Sequence, residues 1–231
     1  MKVLVIDVGG SHVKLMMGRG RKQKFESGPK MTPARMVAQV KKATTDWKFD
    51  AISLGLPTPI VHGRPAVEPQ NLGRGWRRFD FEQALGKPVK IVNDAAMQAL
   101  GSYEGGRMLF IGLGTGLGSA LILDDVLVPL ELGELNFSSS RTLEQTLGKA
   151  ALKRLGRPKW EKNVHAVVDQ LRKAFVADYV MLGGGNAKKL TRLPADARRG
   201  KNENAYLGGV RLWRSPRSVR RKKHTLELAE K

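Results

Sequence analysis

The hydrophobic positions of the chain fall into two similar blocks. Val3, Leu4, Val5 and Ile6 make an unbroken apolar run that reaches Asp7, turns at Gly9-Gly10-Ser11 and resumes from Val13 to Met17. Leu109, Phe110 and Ile111 begin the same arrangement again, turn through Gly112-Leu113-Gly114-Thr115-Gly116 and resume from Leu117 to Leu123. Each block predicts a β-hairpin with a glycine corner. A basic third strand or loop follows the first hairpin. Thr32-Pro33 then caps a helix whose apolar positions Met36, Val37, Val40, Ala43 and Trp47 keep helical spacing.

Residues 51–56 read as a strand that stops at Pro57-Thr58-Pro59, and residues 89–92 as a strand that ends in Asn93-Asp94 and runs directly into a helix. Beyond the Gly105-Gly106 break the second block begins. It continues into a helix over 142–155, which Gly156 stops, and a helix over 160–175. The last apolar strand, from Tyr179 to Leu182, opens into Gly183-Gly184-Gly185. Two halves that start alike suggest a duplicated βββαβα unit: an N-terminal lobe over 1–105 and a C-terminal lobe over 106–231, with a basic segment over 198–231 as a candidate to pack back on the first lobe. The fold class expected is α/β, two-lobed and ribonuclease-H-like, with a cleft between lobes.

The glycine corners carry the chemistry. Glycine lets the backbone bend so that successive N–H groups meet one anion, Ser11 adds a hydroxyl donor, and Asp7 can hold a metal or its waters. The plain alternative is an ordinary hairpin stiffened by Asp7. Phosphates are expected between Gly9, Gly10 and Ser11 on one side and Gly114, Thr115 and Gly116 on the other. Lys14, inside the second strand, is either a phosphate contact or an exposed strand lysine. Gly183, Gly184 and Gly185 allow a flat or bulky ligand close to the backbone, or form a strand-to-helix turn. Asp94, at a strand-to-helix junction, projects into a cleft or caps the helix.

Charge adds a second theme. The 231 residues hold 41 Lys and Arg against 21 Asp and Glu, a formal net charge of +20, which favours polyanions such as polyphosphate or nucleic acid without choosing between them. There are no cysteines, so disulfides, thiolate chemistry and a cysteine-built zinc site are excluded. No apolar run is long enough to span a bilayer and the start is not a signal peptide, so no membrane partner is expected and the cytoplasm is the expected compartment.

The ordered set Asp7-x-Gly9-Gly10-Ser11-x-x-Lys14, Gly55-Leu56-Pro57, Asn71-Leu72 with Trp76, Asn93-Asp94, Gly112 to Gly118, Glu131-Leu132-Gly133 and Gly183-Gly184-Gly185 resembles the ROK family of sugar kinases and sugar-responsive regulators. That family lies within the actin-like and hexokinase-like ATPases, and the chain is most similar to its compact glucokinases, including those that use polyphosphate. The resemblance implies phosphoryl transfer from ATP or polyphosphate to a hexose, glucose or a close relative. Asp94 is then the base, and magnesium is held by Asp7 through water. It implies sugar contacts from Asn71, Asn93, Asp94, Glu131 and the position of Glu134, and adenosine against Gly183 to Gly185.

Two positions depart from the family's pattern. Glu134 stands where the family usually has histidine, and Thr58 where many relatives have glycine. The competing function is a sugar-sensing or regulatory binding protein that keeps the fold with little kinase activity and touches a polyanion through its basic surface. An actin-like ATPase with no sugar is a third reading. A helix-turn-helix ahead of the first strand is not expected, and a second copy of the chain is a candidate partner.

Overall fold

The computed structural model describes residues 1–18, 20–201 and 203–214. Two five-stranded sheets are built to one plan. In the first, β1 (Val3–Val8) pairs antiparallel with β2 (His12–Met17), β2 pairs antiparallel with β3 (Arg21–Glu26), and β1 lies parallel to β4 (Ala51–Leu56), itself parallel to β5 (Val89–Asn93). In the second, β6 (Arg107–Leu113), β7 (Leu117–Leu123) and β8 (Val126–Leu130) form the antiparallel set, and β6, β9 (Tyr179–Gly183) and β10 (Ala197–Arg199) the parallel set. Both sheets thus have the strand order third, second, first, fourth, fifth. The basic third segment is a strand.

The first sheet's outer face packs under α1 (Pro33–Ala43) and α2 (Phe81–Leu85), where Leu4, Ile6, Leu54, Met36 and Trp76 are buried. The second sheet's outer face packs under α4 (Leu143–Leu147), α5 (Lys149–Leu155) and α6 (Arg157–Ala174), around Leu109, Ile111, Trp160 and Val164. Between the sheets lie α3 (Asp94–Ser102) and α7 (Asn204–Arg211). Ala95, Ala96 and Ala99 of α3 pack with Met108, Phe110 and Ala120 of the second sheet, while Ala205 and Val210 of α7 pack with Val3 and Val5 of the first. Each lobe's inner face is therefore covered in part by a helix from the other half of the sequence.

The two inner helices meet backbone to backbone. A Cβ on Gly101 would run into the carbonyl of Asn204, and one on Gly208 into that of Met97. Arg211 caps the end of α3 by donating from Nη1 to the carbonyls of Leu100, at 2.5 Å, and Tyr103, at 3.2 Å. Asn204 donates to the Ser102 hydroxyl at 2.6 Å. Residues 204–211 of the basic segment so lie against the first lobe's sheet and helix, and 215–231 lie outside the described residues.

Three boundaries differ from the sequence reading. The helix expected over 142–155 is two helices broken at Gly148, whose extended backbone (φ −68°, ψ 175°) lets Lys149 donate its N–H to the carbonyl of Gly114 at 3.1 Å. A Cβ at Gly148 would stand 2.9 Å from the carbonyl of Thr115, so the break brings helix and glycine turn together. The helix expected from Trp160 starts at Arg157, since Gly156 in the left-handed region (φ 72°) and Pro158 open it a turn earlier. Trp47 lies beyond the end of α1: Thr44 closes that helix by donating its hydroxyl to Val40 at 2.8 Å, and the half-buried Trp47 ring packs against the first lobe's core from the following loop.

Candidate active site at the meeting of two glycine hairpins

The N-terminal turn of α3 is where the lobes converge. Asn93 ends β5 with its backbone extended, and its Oδ1 accepts the N–H groups of Ala95, at 2.9 Å, and Ala96, at 3.2 Å. Its Nδ2 donates to the carbonyl of Thr58 at 3.2 Å, and the buried Thr58 hydroxyl donates to Val67 at 3.0 Å. Asn93 is buried, and it braces the Pro57-Thr58-Pro59 turn against the start of the helix. Gly55, in β4, leaves room for this: a Cβ there would lie 2.5 Å from Met97 Cε and 3.4 Å from Asp94 Cα.

Asp94 itself is half-buried, with one oxygen accepting the Ala95 N–H at 2.8 Å. Its pKa is pushed up from 3.8 to about 7, first by burial of the carboxyl, then by repulsion from Asp7. The Ala95 hydrogen bond acts in the opposite sense, Glu131 adds repulsion and Lys14 attraction. Asp7, Lys14, Asp94 and Glu131 therefore share one electrostatic site, although they come from both halves of the chain.

Asp7 is buried near the end of β1, and its cross-strand partner Lys14 donates from Nζ to its Oδ2 at 3.0 Å. The first turn then runs through Gly9, whose N–H meets the carbonyl of His12 at 2.9 Å and whose carbonyl accepts the Ser27 hydroxyl at 2.5 Å. Gly10 is covered by Asn71, whose Cβ stands 3.0 Å from where a Gly10 Cβ would be. Asn71 is thereby set beside the first turn despite the distance in sequence.

The second hairpin reaches the same place. A Cβ on Gly118 would lie 2.6 Å from Cβ of Ala95, so the hairpin rests directly on the first turn of α3. The loop is held from behind: Asn186 donates from Nδ2 to the carbonyl of Gly114 at 2.9 Å, and Glu144 Oε2 accepts the N–H of Leu117 at 3.1 Å. Thr115 is exposed at its tip. Glu131 precedes and Glu134 ends a short 3-10 turn (Leu132–Glu134). As a residue Glu131 is exposed, yet its carboxyl is partly desolvated, and burial raises its pKa, followed by Glu134 and Glu144.

Gly183, Gly184 and Gly185 have three different surroundings. A Cβ on Gly183 would press into the Phe110 ring, and one on Gly184 (φ 79°) would lie 2.5 Å from the carbonyl of Leu113. Only beside Gly185 is the space open. Gly183 and Gly184 seat β9 against β6, and Gly185 leaves room for a ligand.

Glu144 and Asn186 escaped the sequence reading. Asn186 followed the glycine triplet. Glu144 stands in the first turn of a helix opened by a capping box between Thr142 and Gln145, a signal that marks a helix start rather than a loop contact.

No protein-family model matches the chain. It is 28% identical over 208 residues to the polyphosphate glucokinase of Mycobacterium tuberculosis, a match covering 80% of this chain and 77% of that one. Among solved structures, the inorganic polyphosphate/ATP-glucomannokinase of Arthrobacter sp. strain KM matches with a TM-score of 0.77 at 24% identity, over 90% of this chain and 96% of that one. The ROK family glucokinase of Streptomyces griseus, in complex with glucose and AMPPNP, matches with a TM-score of 0.73 at 17% identity, over 92% and 99%. The fold is thus the two-lobed α/β fold of the ROK sugar kinases, as the motifs implied. In sequence the chain is similar to the polyphosphate glucokinases.

Proposed function

We propose that the chain is a hexose kinase that transfers the terminal phosphoryl group of ATP or polyphosphate to a hexose hydroxyl, with Asp94 as general base. Similarity to a polyphosphate glucokinase and a polyphosphate/ATP-glucomannokinase supports the reaction class. The observation that carries the role of Asp94 is its position: a desolvated carboxyl with a pKa of about 7, at the helix start against which the second glycine hairpin rests, and within the field of Asp7 from the first hairpin.

Phosphoryl transfer asks a protein for alignment and charge stabilisation rather than covalent help. In this reading the donor phosphates lie along Gly9, Gly10, Ser11 and Gly114, Thr115, Gly116. The acceptor hydroxyl sits against the Asp94 oxygen that is not held by Ala95. As the hydroxyl oxygen forms its bond to phosphorus, the bond from phosphorus to the departing phosphate chain breaks, and the hydroxyl proton passes to Asp94. A carboxylate with a pKa near 7 is a stronger base than an ordinary aspartate and is still substantially ionised at neutral pH. Lys14 exchanges its contact with Asp7 for the donor's negative charge.

Asn71, beside Gly10, and Glu131 and Glu134 supply polar contacts to the sugar; Asn93 acts mainly through the helix start it braces. With ATP, the adenosine lies by Gly185, alongside Gly183 and Gly184. Glu134 in place of the family histidine gives the acceptor side a carboxylate and tunes which sugar is taken.

Asp7 fits magnesium of a particular kind. Among the described residues no group of three or more metal-ligating side chains occurs, so a resident, fully protein-held ion is not supported. One buried carboxylate beside a phosphate turn suits an ion that keeps its waters and arrives with the donor. Asp7 would hold that ion through its waters, and the ion would neutralise donor charge. Among the described residues no helix is long and apolar enough to cross a membrane; the compartment that goes with this reading is the cytoplasm.

The test is a panel of hexoses and amino sugars offered with magnesium and either ATP or polyphosphate. Phosphorylation of at least one sugar is expected. A folded protein that phosphorylates none of them moves the assignment to the sugar-sensing reading, and hydrolysis of donor without dependence on any sugar moves it to a plain ATPase.

A further inference from the structure

Away from the Gly9–Ser11 and Gly114–Gly116 turns, at the opposite end of β1, a hollow of about 640 Å³ opens between the first sheet and α7. Its volume falls in the range of small-molecule sites. Val3, Met17 and Val210 give it an apolar floor, and Lys2, Arg21, Lys48 and Tyr206 line it with polar groups. Among the described residues none of Lys2, Arg21 and Lys48 has an ion-pair partner, in contrast to Lys14, Lys22, Arg107, Arg172, Lys173 and Arg198. Asp46 is the single acid in the lining.

The polar groups present donors. Among the described residues Arg21 uses one N–H, from Nη1 to the carbonyl of Asp46 at 2.8 Å, and its guanidinium stands 6.0 Å from the centre of the Trp47 ring, an arrangement in which its other N–H groups can meet a ligand. The Tyr206 hydroxyl accepts the N–H of Gly18 at 2.9 Å and keeps its proton to donate. Three cationic side chains and a hydroxyl donor over an apolar floor suit an anion with several charges, and an arginine fixed at one edge is suited to bidentate recognition of phosphate.

We propose that this hollow is a second binding site, distinct from the Asp94 site, for a small phosphate-bearing anion. A short polyphosphate and a phosphorylated sugar share that chemistry. The occupant would bridge the start of β1, the β2–β3 turn and α7, the helix whose Gly208 meets α3.

The Trp47 ring makes the proposal testable by fluorescence, since an anion drawn to Arg21 changes the environment of the ring. Tripolyphosphate, a hexose 6-phosphate and inorganic phosphate are titrated separately into the full chain at fixed ionic strength. The expected result is a saturable change with at least one of them, absent in Trp47→Phe. Its midpoint should rise at least tenfold in the double variants Arg21→Gln/Lys48→Gln and Lys2→Gln/Lys48→Gln, and stay the same in Lys14→Met and Asp94→Asn. The anion with the lowest midpoint identifies the source. A change that is equal in the Gln variants, or that disappears with Lys14→Met, overturns the site. So does a linear, non-saturating response, which marks nonspecific attraction to a basic surface. Kinase activity at saturating substrates is expected to survive both Gln double variants, so failure of this site and failure of the kinase assignment give different results.

Discussion

Lys14 Nζ lies 3.0 Å from Oδ2 of Asp7, its cross-strand partner, so the one buried carboxylate at the first glycine turn is neutralised by a lysine. The pair also sets the field on Asp94, which Asp7 pushes up in pKa and Lys14 pulls down. Replacing Lys14 with Met removes the attraction and leaves the repulsion. The pKa of Asp94 rises, so the acid limb of the kcat/KM profile moves to higher pH and activity falls more at pH 6.5 than at pH 8.5. Donor KM should rise as well. A profile displaced to lower pH, or not displaced, contradicts this reading.

Asp94 is raised above its unfolded value of 3.8, so between there and about pH 7 the folded chain binds more protons than the unfolded one. Stability attributable to this group is therefore fully present below 3.8, falls as pH rises, and is lost above about 7. Asp94→Asn removes the cost of ionisation. The variant should unfold at higher denaturant than the parent at pH 8, by about 1–3 kcal/mol after allowance for solvent, and match it near pH 4. Denaturant titrations at the two pH values decide the matter; a variant less stable at pH 8 would show that the carboxyl is a structural cap.

Close approach of α3 and α7 gives a stability prediction far from the chemistry. Gly101→Ala places a methyl group against the carbonyl of Asn204, backbone that cannot step aside without moving α7. The expected cost is about 2–4 kcal/mol, read as a lower thermal midpoint. Gly18→Ala, where no described residue beyond its chain neighbours lies within 4 Å but φ is +60°, should cost only about 1 kcal/mol.

Glu144 holds the second loop through the N–H of Leu117. Glu144→Ala should raise the donor KM several-fold, with a thermal midpoint within a few degrees of the parent because Glu144 is exposed. Glu144→Gln, which keeps an acceptor oxygen, should recover part of that loss. Equal defects in both variants would assign the effect to charge rather than to the loop.

The features legible in the sequence were those that depend on local rules. Apolar runs with glycine corners gave both hairpins, Asn93-Asp94 gave the strand-to-helix junction, and Thr32-Pro33 gave the start of α1. Shared order in the two halves anticipated the matching sheets. What stayed hidden depends on tertiary contact. Gly148 breaks its helix in order to meet Gly114 and Thr115, a contact that no periodicity announces. The ion pair of Lys14 follows from strand register, and Asn71 reaches Gly10 only through the fold. Gly183 and Gly184 read in sequence either as backbone that a ligand can approach or as a strand-to-helix turn, and that a Cβ on them would meet Phe110 and Leu113 follows only from the fold.

The central claim is that Asp94 accepts the proton of the acceptor hydroxyl. It is tested most directly by the pH dependence of kcat/KM for sugar phosphorylation in the parent and in Asp94→Asn, with magnesium and donor held saturating. The account predicts a parent profile that rises tenfold per pH unit up to an inflection near 7. In the variant it predicts activity lower by about 10²–10⁴-fold, no such inflection and unchanged donor binding. A variant that retains the parent's rate and its inflection would contradict the account.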